Sequence, residues 1–232
     1  MVTDLKGREM MKPLMILGAM MLAAPAAAQQ TFAAPEGCTG TLTVQQKGCV
    51  LVNVWTCEAD NPGDQWLALI GQGGLFSVQK VDSEFQWIEA YKMTGNESLQ
   101  LPAADPASLT DLFANQIDTW DFTIQTEDGS ERNVGFDMLT GETTVIDGVT
   151  LLDTEYQGRT LDADGNQISA DAGRQYVSED MRLFFFGQSW DADRPQDVID
   201  MSPVEFIFPG EPGFFSDQPI YECNQTETGY RP

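Results

Sequence analysis

The segment "CVLVNVWTCEADNPGDQWLALIGQGGLFSVQKV", Cys49 to Val81, decides the fold class of this chain. Short runs rich in valine, leucine and aromatic residues alternate in it with the turn signals NPGD and GQGG. Runs of this kind, bounded by glycine, proline and aspartate, are typical of β-strands joined by tight turns. The segment therefore predicts consecutive antiparallel strands.

The same pattern recurs along most of the remaining chain. The run FQWIEAYKM carries large residues that suit a pleated, half-buried surface, and from Trp120 onward turn signals stand at Asp147–Gly148 and Asp164–Gly165. Regularly spaced short strands favour an antiparallel sheet that is bent or partly closed. We predict a mainly β (α+β) fold with one domain over residues 38–223, built as a curved antiparallel meander or a partly closed, barrel-like sheet.

One segment, DPASLTDLFANQIDTW, changes period. Leu109, Leu112 and Ile117 recur there at helical spacing. Asp105 is placed to cap a helix, and Pro106 suits a first helical turn. The segment predicts one helix over about residues 106–118, packed on the sheet.

The start of the chain has the pattern of an export signal. From Met11 it reads MKPLMILGAMMLAAPAAAQQ, with a lysine, an apolar run and small residues up to Ala28. This order predicts a secretory signal peptide over residues 1–28, with Met11 as an alternative start, and the apolar run is shorter than the roughly 20 residues that span a bilayer. We expect a periplasmic or secreted bacterial protein without stable membrane insertion, with a short linker at 29–37 and a frayed tail at 224–232.

Four cysteines, Cys38, Cys49, Cys57 and Cys223, predict two disulfides in an exported chain. Zinc sites need closer cysteine spacing or histidine partners, and thioredoxin-type chemistry needs C-x-x-C, which the sequence lacks. Four cysteines allow three pairings. We favour Cys38 with Cys49, across a hairpin, and Cys57 with Cys223.

The charge of the chain restricts its partners. Thirty-six acidic and 12 basic residues give a formal net charge of −24. Such a field repels phosphate backbones and anionic membranes, so we expect no nucleic-acid binding. Two explanations of the acidity stay open: solubility, for instance in a salty environment, or a surface that binds a basic protein.

No complete catalytic motif is present, and we predict no cofactor and no enzymatic role. The chain has no histidine, which excludes Ser-His-Asp and Cys-His catalysis. Ser77 and Lys80 spell S-x-x-K without the S-D-N and K-T-G elements that accompany it in β-lactamases. Carboxylates such as Glu155, Asp180 and Glu205 leave a carboxylate-dependent hydrolase as an alternative.

The acidic run DADGNQISAD, Asp162 to Asp171, has two interpretations. An EF-hand loop needs glycine at its sixth position and glutamate at its twelfth, and neither is present in this run. An Asp-Gly-Asn hairpin turn accounts for every residue. We therefore predict a turn and no metal site.

Several aromatic residues are candidates for a ligand-lining surface. The triplet Phe184–Phe186, the run SPVEFIFPGEPGFFSDQP and Trp87 supply large rings. In one interpretation, Trp87, Phe184, Phe186 and Phe215 line a pocket for an apolar or amphipathic molecule. In the other, these rings are ordinary core residues of a sheet.

The pattern of many strands with one helix resembles, in broad outline, bacterial periplasmic proteins in which a curved antiparallel sheet wraps a helix, as in the lipoprotein-carrier type of fold. The resemblance implies a shape, and function does not transfer from shape alone. Three functions remain as hypotheses: a non-enzymatic exported protein that binds an apolar or amphipathic ligand, an acidic protein–protein or envelope interaction module, and the hydrolase.

Overall fold

The computed structural model describes Met1 and residues 32–223. The signal peptide predicted for residues 1–28, Met1 apart, and the tail predicted for residues 224–232 lie outside the described residues. In the described part of the chain, thirteen strands form a single antiparallel sheet that is not closed, with one short helix. The predicted fold class, a curved sheet with one helix, is confirmed.

The elements follow one another as a meander. They are β1 (Cys38–Gln46), β2 (Val50–Cys57), β3 (Gln65–Gly71), β4 (Gly74–Val81), β5 (Trp87–Lys92), β6 (Gly95–Leu99), α1 (Leu109–Asn115), β7 (Ile117–Thr126), β8 (Gly129–Ile146), β9 (Val149–Leu161), β10 (Gln167–Ser178), β11 (Leu183–Asp191), β12 (Ile199–Asp200) and β13 (Pro203–Ile207). Each strand from β1 to β12 pairs with its neighbour in sequence, and β13 pairs with β1.

The sheet is strongly curved because its two end strands are close in sequence. β12 and β13 lie at opposite ends of the strand order, yet only Met201 and Ser202 separate them. So short a connection spans roughly 11 Å at most, which forces the two edges together. The rings of Phe185 in β11 and Phe206 in β13 accordingly meet at 5.1 Å. The result is an incomplete barrel with a concave inner face.

The main core fills part of this concave face. Apolar side chains from the first strands meet others from the last strands there, which explains why both ends of the chain are needed to close the fold. The buried members are Leu42, Val44, Val50, Val52, Val54, Leu67, Leu69, Val81, Leu151, Leu183, Phe185 and Phe206.

The opposite, convex face of β1 and β2 is covered by residues 208–223, here called the C-terminal segment. Asn53 donates its side-chain amide to the Ser216 carbonyl at 2.8 Å, and the Phe215 N–H donates to Thr43 Oγ1 at 2.8 Å. The Phe215 ring packs with Phe32, which belongs to the predicted linker. Because β2 is buried on both faces, its sequence is a nearly continuous apolar run and does not alternate.

The helix is shorter than the sequence predicts. It begins after the N-cap Ser108, whose side chain accepts the Asp111 N–H at 3.1 Å. Asp105, the predicted cap, instead forms a β-bridge with Asp121, so the backbone there is already extended. Gln116 adopts a left-handed conformation at the C-cap, and the chain turns directly into β7. In the described residues, no helix is long and apolar enough to cross a membrane.

The four cysteines form two disulfides, but the predicted pairing is wrong. The bonds join Cys38 to Cys57 and Cys49 to Cys223. Cys38 begins β1, and Cys49 lies in the turn beyond its last residue, Gln46; the eight extended steps of β1 are about 26 Å long and hold the two cysteines apart. Cys38 stands directly opposite Cys57 in the β1–β2 ladder, whereas Cys49 lies in the turn that the C-terminal segment reaches. Two disulfides indicate an oxidising, extracytoplasmic compartment.

Candidate functional site

A large cavity occupies the part of the concave face that the core leaves free. Its volume is about 1060 Å³, at the upper end of the range of small-molecule sites. The helix and the first strands border it on one side, and β7 to β11 form the opposite wall. The cavity therefore lies between the two halves of the curved sheet.

Apolar and aromatic side chains form much of the wall. Phe122 and Ile124 of β7 project into it from the same face, and Leu67 and Leu69 face them from β3. The Trp87 ring meets Phe122 edge to face at 6.2 Å. Such a wall can bind the apolar body of a small molecule.

Glycines make room for one tryptophan ring close to the sheet. A Cβ atom at Gly135 would lie 2.5 Å from Cη2 of Trp120, and a Cβ at Gly158 would lie 2.8 Å from the same atom. The Tyr156 ring packs against Gly173 in the same way, since a Cβ atom at Gly173 would lie 2.5 Å from Tyr156 Cε1. The two rings cover the backbone, and the cavity stays open in front of them.

Two aspartates stand side by side in this wall. Asp118 of β7 is directly opposite Asp137 of β8, on the face that also carries Trp120. Asp118 Oδ2 accepts the Ser108 N–H at 2.8 Å, and Asp137 Oδ2 accepts the Trp120 Nε1–H at 2.9 Å. Like charges directly opposite each other in a ladder are unfavourable, so this arrangement is costly when both are ionised.

Burial dominates the electrostatics of both aspartates. Burial raises the pKa of Asp118 to about 6, and the charges of Asp105 and Asp111 act in the same direction. Burial also raises the pKa of Asp137 to about 6; the hydrogen bond from Trp120 opposes the shift and the charge of Asp118 adds to it. The nearby phenol is affected too, since burial raises the pKa of Tyr156 to about 12.

The cavity is acidic as a whole. Of the residues that the structure describes, eight carboxylic acids and three basic residues border it. Two of the basic residues are already neutralised: Lys92 Nζ lies 2.6 Å from Glu97 Oε1, and Arg194 lies 3.4 Å from Asp191. A cavity with this balance attracts positive charge and repels anions.

The aromatic residues predicted to line a pocket divide into two groups. Trp87, Phe184 and Phe186 border the cavity. Phe215 does not: it is 6% exposed and belongs to the cluster under the C-terminal segment, on the convex side. For Phe215 the structure agrees with the alternative interpretation, a core aromatic residue; ligand contact by the other three stays a prediction.

The candidate catalytic residues from the sequence do not meet at this site. None of Glu155, Asp180 and Glu205 borders the cavity. Ser77 and Lys80 lie in β4 an odd number of positions apart, so their side chains leave opposite faces of the strand. Lys80 is held by Asp60 at 2.6 Å and by a second aspartate at 3.1 Å.

The acidic run at Asp162 forms the predicted hairpin turn between β9 and β10. Asp162 Oδ1 accepts the backbone N–H groups of Asp164 at 3.0 Å and Asn166 at 2.8 Å. Its carboxylate is thus used to stabilise the turn. Among the described residues, no group of three or more cysteine or acidic side chains is arranged to hold a metal ion.

Sequence reasoning missed Asp118, Trp120, Asp137 and Tyr156. A usable signal was present in IDTWDFTIQT, where Asp118, Trp120 and Phe122 occupy alternate positions and therefore share one face of a strand. The cross-strand partner Asp137 could not be assigned, because register is set by tertiary packing.

The chain was also compared with known proteins. No protein-family model, no curated protein and no solved structure matches it. The site must therefore be interpreted from its own geometry and charge.

Proposed function

We propose that this protein is a non-enzymatic binding protein of the bacterial periplasm or the extracellular space, which holds an amphipathic small molecule in the concave cavity of its sheet. The observation that carries the proposal is the cavity of about 1060 Å³. Its wall combines aromatic and aliphatic surface with a few polar groups, which is the usual composition of a small-molecule site. The export pattern at the N-terminus and the two disulfides support a location outside the cytoplasm.

The shape of the wall also supports binding. The Trp120 ring lies against Gly135 and Gly158, and the Tyr156 ring lies against Gly173, so a Cβ at any of these positions would overlap with a ring. An unused void of this size would cost stability, because the residues around it lose packing contacts. A bound ligand that fills the space would recover those contacts.

The direct test is a native mass spectrum of the mature protein, purified from its own compartment without added ligand or detergent. We expect the mass of the protein with two disulfides plus a co-purified small molecule. A Thr160→Trp variant should lose the molecule, because Thr160 borders the cavity. A Gln157→Trp variant should keep it, since Gln157 is exposed, lies on the same strand and does not border the cavity.

The contrary result is equally clear. A bare protein mass for wild type and both variants would contradict the proposal. It would favour the interaction-module hypothesis, in which the acidic surface binds a basic protein and the binding weakens as salt rises.

A second candidate, carboxylate-dependent hydrolysis, is supported by the pair Asp118 and Asp137. Two-carboxylate catalysis uses one protonated acid and one ionised partner, whose pKa values are pushed apart by their surroundings. Here burial raises the pKa of both aspartates to about 6, so neither is assigned to one role. Hydrolysis of chromogenic glycosides by wild type and its loss in Asp137→Asn would favour this candidate; absence of turnover would exclude it.

A further inference from the structure

We infer, on the basis of the proposed binding function, that the cavity selects amphipathic molecules with a cationic head, such as an ammonium or guanidinium group. The head would lie against Asp118 and Asp137, and the apolar body would lie along the aromatic wall. The cavity itself is defined by the shape of the sheet, and its charges decide which ligand class fits it.

Within the part of the chain that the structure describes, the two aspartates have no positive partner. Among the ion pairs of the described residues, none involves Asp118 or Asp137. Their hydrogen-bond donors, a backbone N–H of Ser108 and the indole of Trp120, are neutral. Neutral donors satisfy one oxygen of each carboxylate but do not cancel its charge. A buried charge without a counter-charge is unfavourable, and a cationic ligand would remove that cost.

The basic residues near the cavity are not available to supply this charge. Lys92 is paired with Glu97, and Arg194 is paired with Asp191 and lies 3.7 Å from Asp197. The third basic residue that borders the cavity is exposed Arg159, which stands between Gly158 and Thr160 in β9. Alternation along the strand directs its side chain to the convex side. The inner wall therefore keeps its negative charge.

Aromatic rings next to the aspartates favour the same ligand class. Trp120 follows Asp118 on the same face of β7, and Tyr156 is paired with Asp137 in the β8–β9 ladder. The face of an aromatic ring attracts cations, and aromatic rings are the usual recognition element for quaternary ammonium groups. The neighbouring Phe122 and its apolar surroundings would contact the body of the ligand.

Binding should depend on pH through the charge of the pair. The charged or titratable groups that face the pair from the surrounding elements are Glu84, Arg182, Asp105, Asp111, Tyr156 and Asp171. Arg182 is already paired with Glu84 at 2.7 Å, and the remaining groups are acids or a phenol. None of the basic residues in the described ranges is free to compete for the pair. A cationic ligand should therefore bind more weakly at pH 5, where the aspartates are largely protonated, than at pH 8.

The test uses three probes that share a twelve-carbon chain and differ in head charge. They are dodecyltrimethylammonium, dodecyldimethylamine oxide and dodecyl sulfate, each below its critical micelle concentration at pH 8 and physiological ionic strength. Calorimetric titration gives the affinity, and native mass spectrometry gives the stoichiometry. We expect one equivalent of the ammonium probe, bound about tenfold more tightly than the amine oxide, and no binding of the sulfate.

Matched variants assign the effect to the pair. Asp118→Asn with Asp137→Asn should lower the affinity for the ammonium probe about tenfold and leave the amine oxide unchanged. Asp121→Asn removes one carboxylate from the same strand, on the face that carries Arg132, and so matches Asp118→Asn alone in charge; it should change neither affinity. If the double variant does not fold, Asp118→Asn alone provides the same measurement.

Each other outcome contradicts a defined part of the argument. Equal affinity for the three probes, or ammonium binding that the double variant leaves unchanged, would overturn the cationic preference and leave the binding function in place. Several equivalents of ammonium probe with no response to the variants would indicate surface attraction and overturn it likewise. Absence of binding for every probe would overturn the proposed function itself.

Discussion

The polar side chains on the two faces of the sheet differ in whether the protein supplies their partners. On the convex side of β1 and β2, Thr43, Gln45 and Asn53 are at most 2% exposed, and each exchanges hydrogen bonds with the C-terminal segment. On the concave side, Asp118 and Asp137 have only neutral donors and no counter-charge among residues 32–223. Satisfied polar groups are compatible with a stable core, whereas unpaired charges are costly. The difference suggests that the chain completes its convex face by itself and that the concave face is suited to a ligand.

The largest expected effect is the loss of unfolding free energy when the disulfide that anchors the C-terminal segment to the convex face is removed. Cys49–Cys223 joins residues 174 apart, and Cys38–Cys57 joins residues 19 apart. Loop-closure entropy then predicts that removing the first disulfide costs about 5 kcal/mol of unfolding free energy and removing the second about 3 kcal/mol. Urea unfolding of the variants Cys49→Ala with Cys223→Ala and Cys38→Ala with Cys57→Ala measures both. A larger loss in the second variant would contradict the role of the C-terminal segment.

The next effect concerns the concave face and has the opposite sign. The pKa of Asp118 is raised from 3.8 to about 6, so its ionised form disfavours the folded state, and this penalty grows as the pH rises from about 4 to 6. Asp118→Asn should therefore stabilise the protein at pH 8, by up to about 3 kcal/mol, and by clearly less at pH 5. Unfolding curves at both pH values test this. Destabilisation at pH 8 would show that the carboxylate has a counter-charge after all.

Sequence reasoning succeeded where short-range signals decide the structure. Turn residues such as Asp147 and Gly148, both with positive φ, place a hairpin between β8 and β9 as predicted. The alternation of strands predicted the meander, and the cysteine count predicted two disulfides. These features depend on local backbone preference and on composition.

Sequence reasoning failed where long-range contacts determine the structure. The partner of Cys49 is set by the path of the C-terminal segment over the convex face, and Asp105 is withdrawn from helix capping by its bridge to Asp121. The pairing of Asp118 with Asp137 likewise depends on the register between β7 and β8. Register and crossing contacts arise from packing, and the local pattern of one sequence does not specify them.

A smaller effect is expected from one polar group on the convex face. Asn53→Leu keeps the branched shape of the side chain, but the Ser216 carbonyl loses its donor and the Thr43 O–H loses its acceptor. The Thr43 oxygen still accepts the Phe215 N–H. The loss of unfolding free energy should be about 2 kcal/mol. Because no titratable group is changed, the loss should be equal at pH 5 and pH 8, in contrast to Asp118→Asn. A loss of unfolding free energy that differs between pH 5 and pH 8 would mean that the convex face is coupled to the titrating aspartates of the concave face.

The smallest expected effect is the change in unfolding temperature on replacing Asp121, an acid of β7 on the other face from Asp118. The hydrogen bond from Arg132 lowers the pKa of Asp121, so its ionised form favours the folded state above about pH 4. The pair is exposed, and Asp121→Asn should lower the unfolding temperature by no more than about 2 °C at pH 8. Three positions away, Asp118→Asn should raise the same temperature. Thermal unfolding of both variants under one buffer condition gives the comparison. If both variants shift it in the same direction, total charge controls stability, and the concave wall has no special electrostatic character.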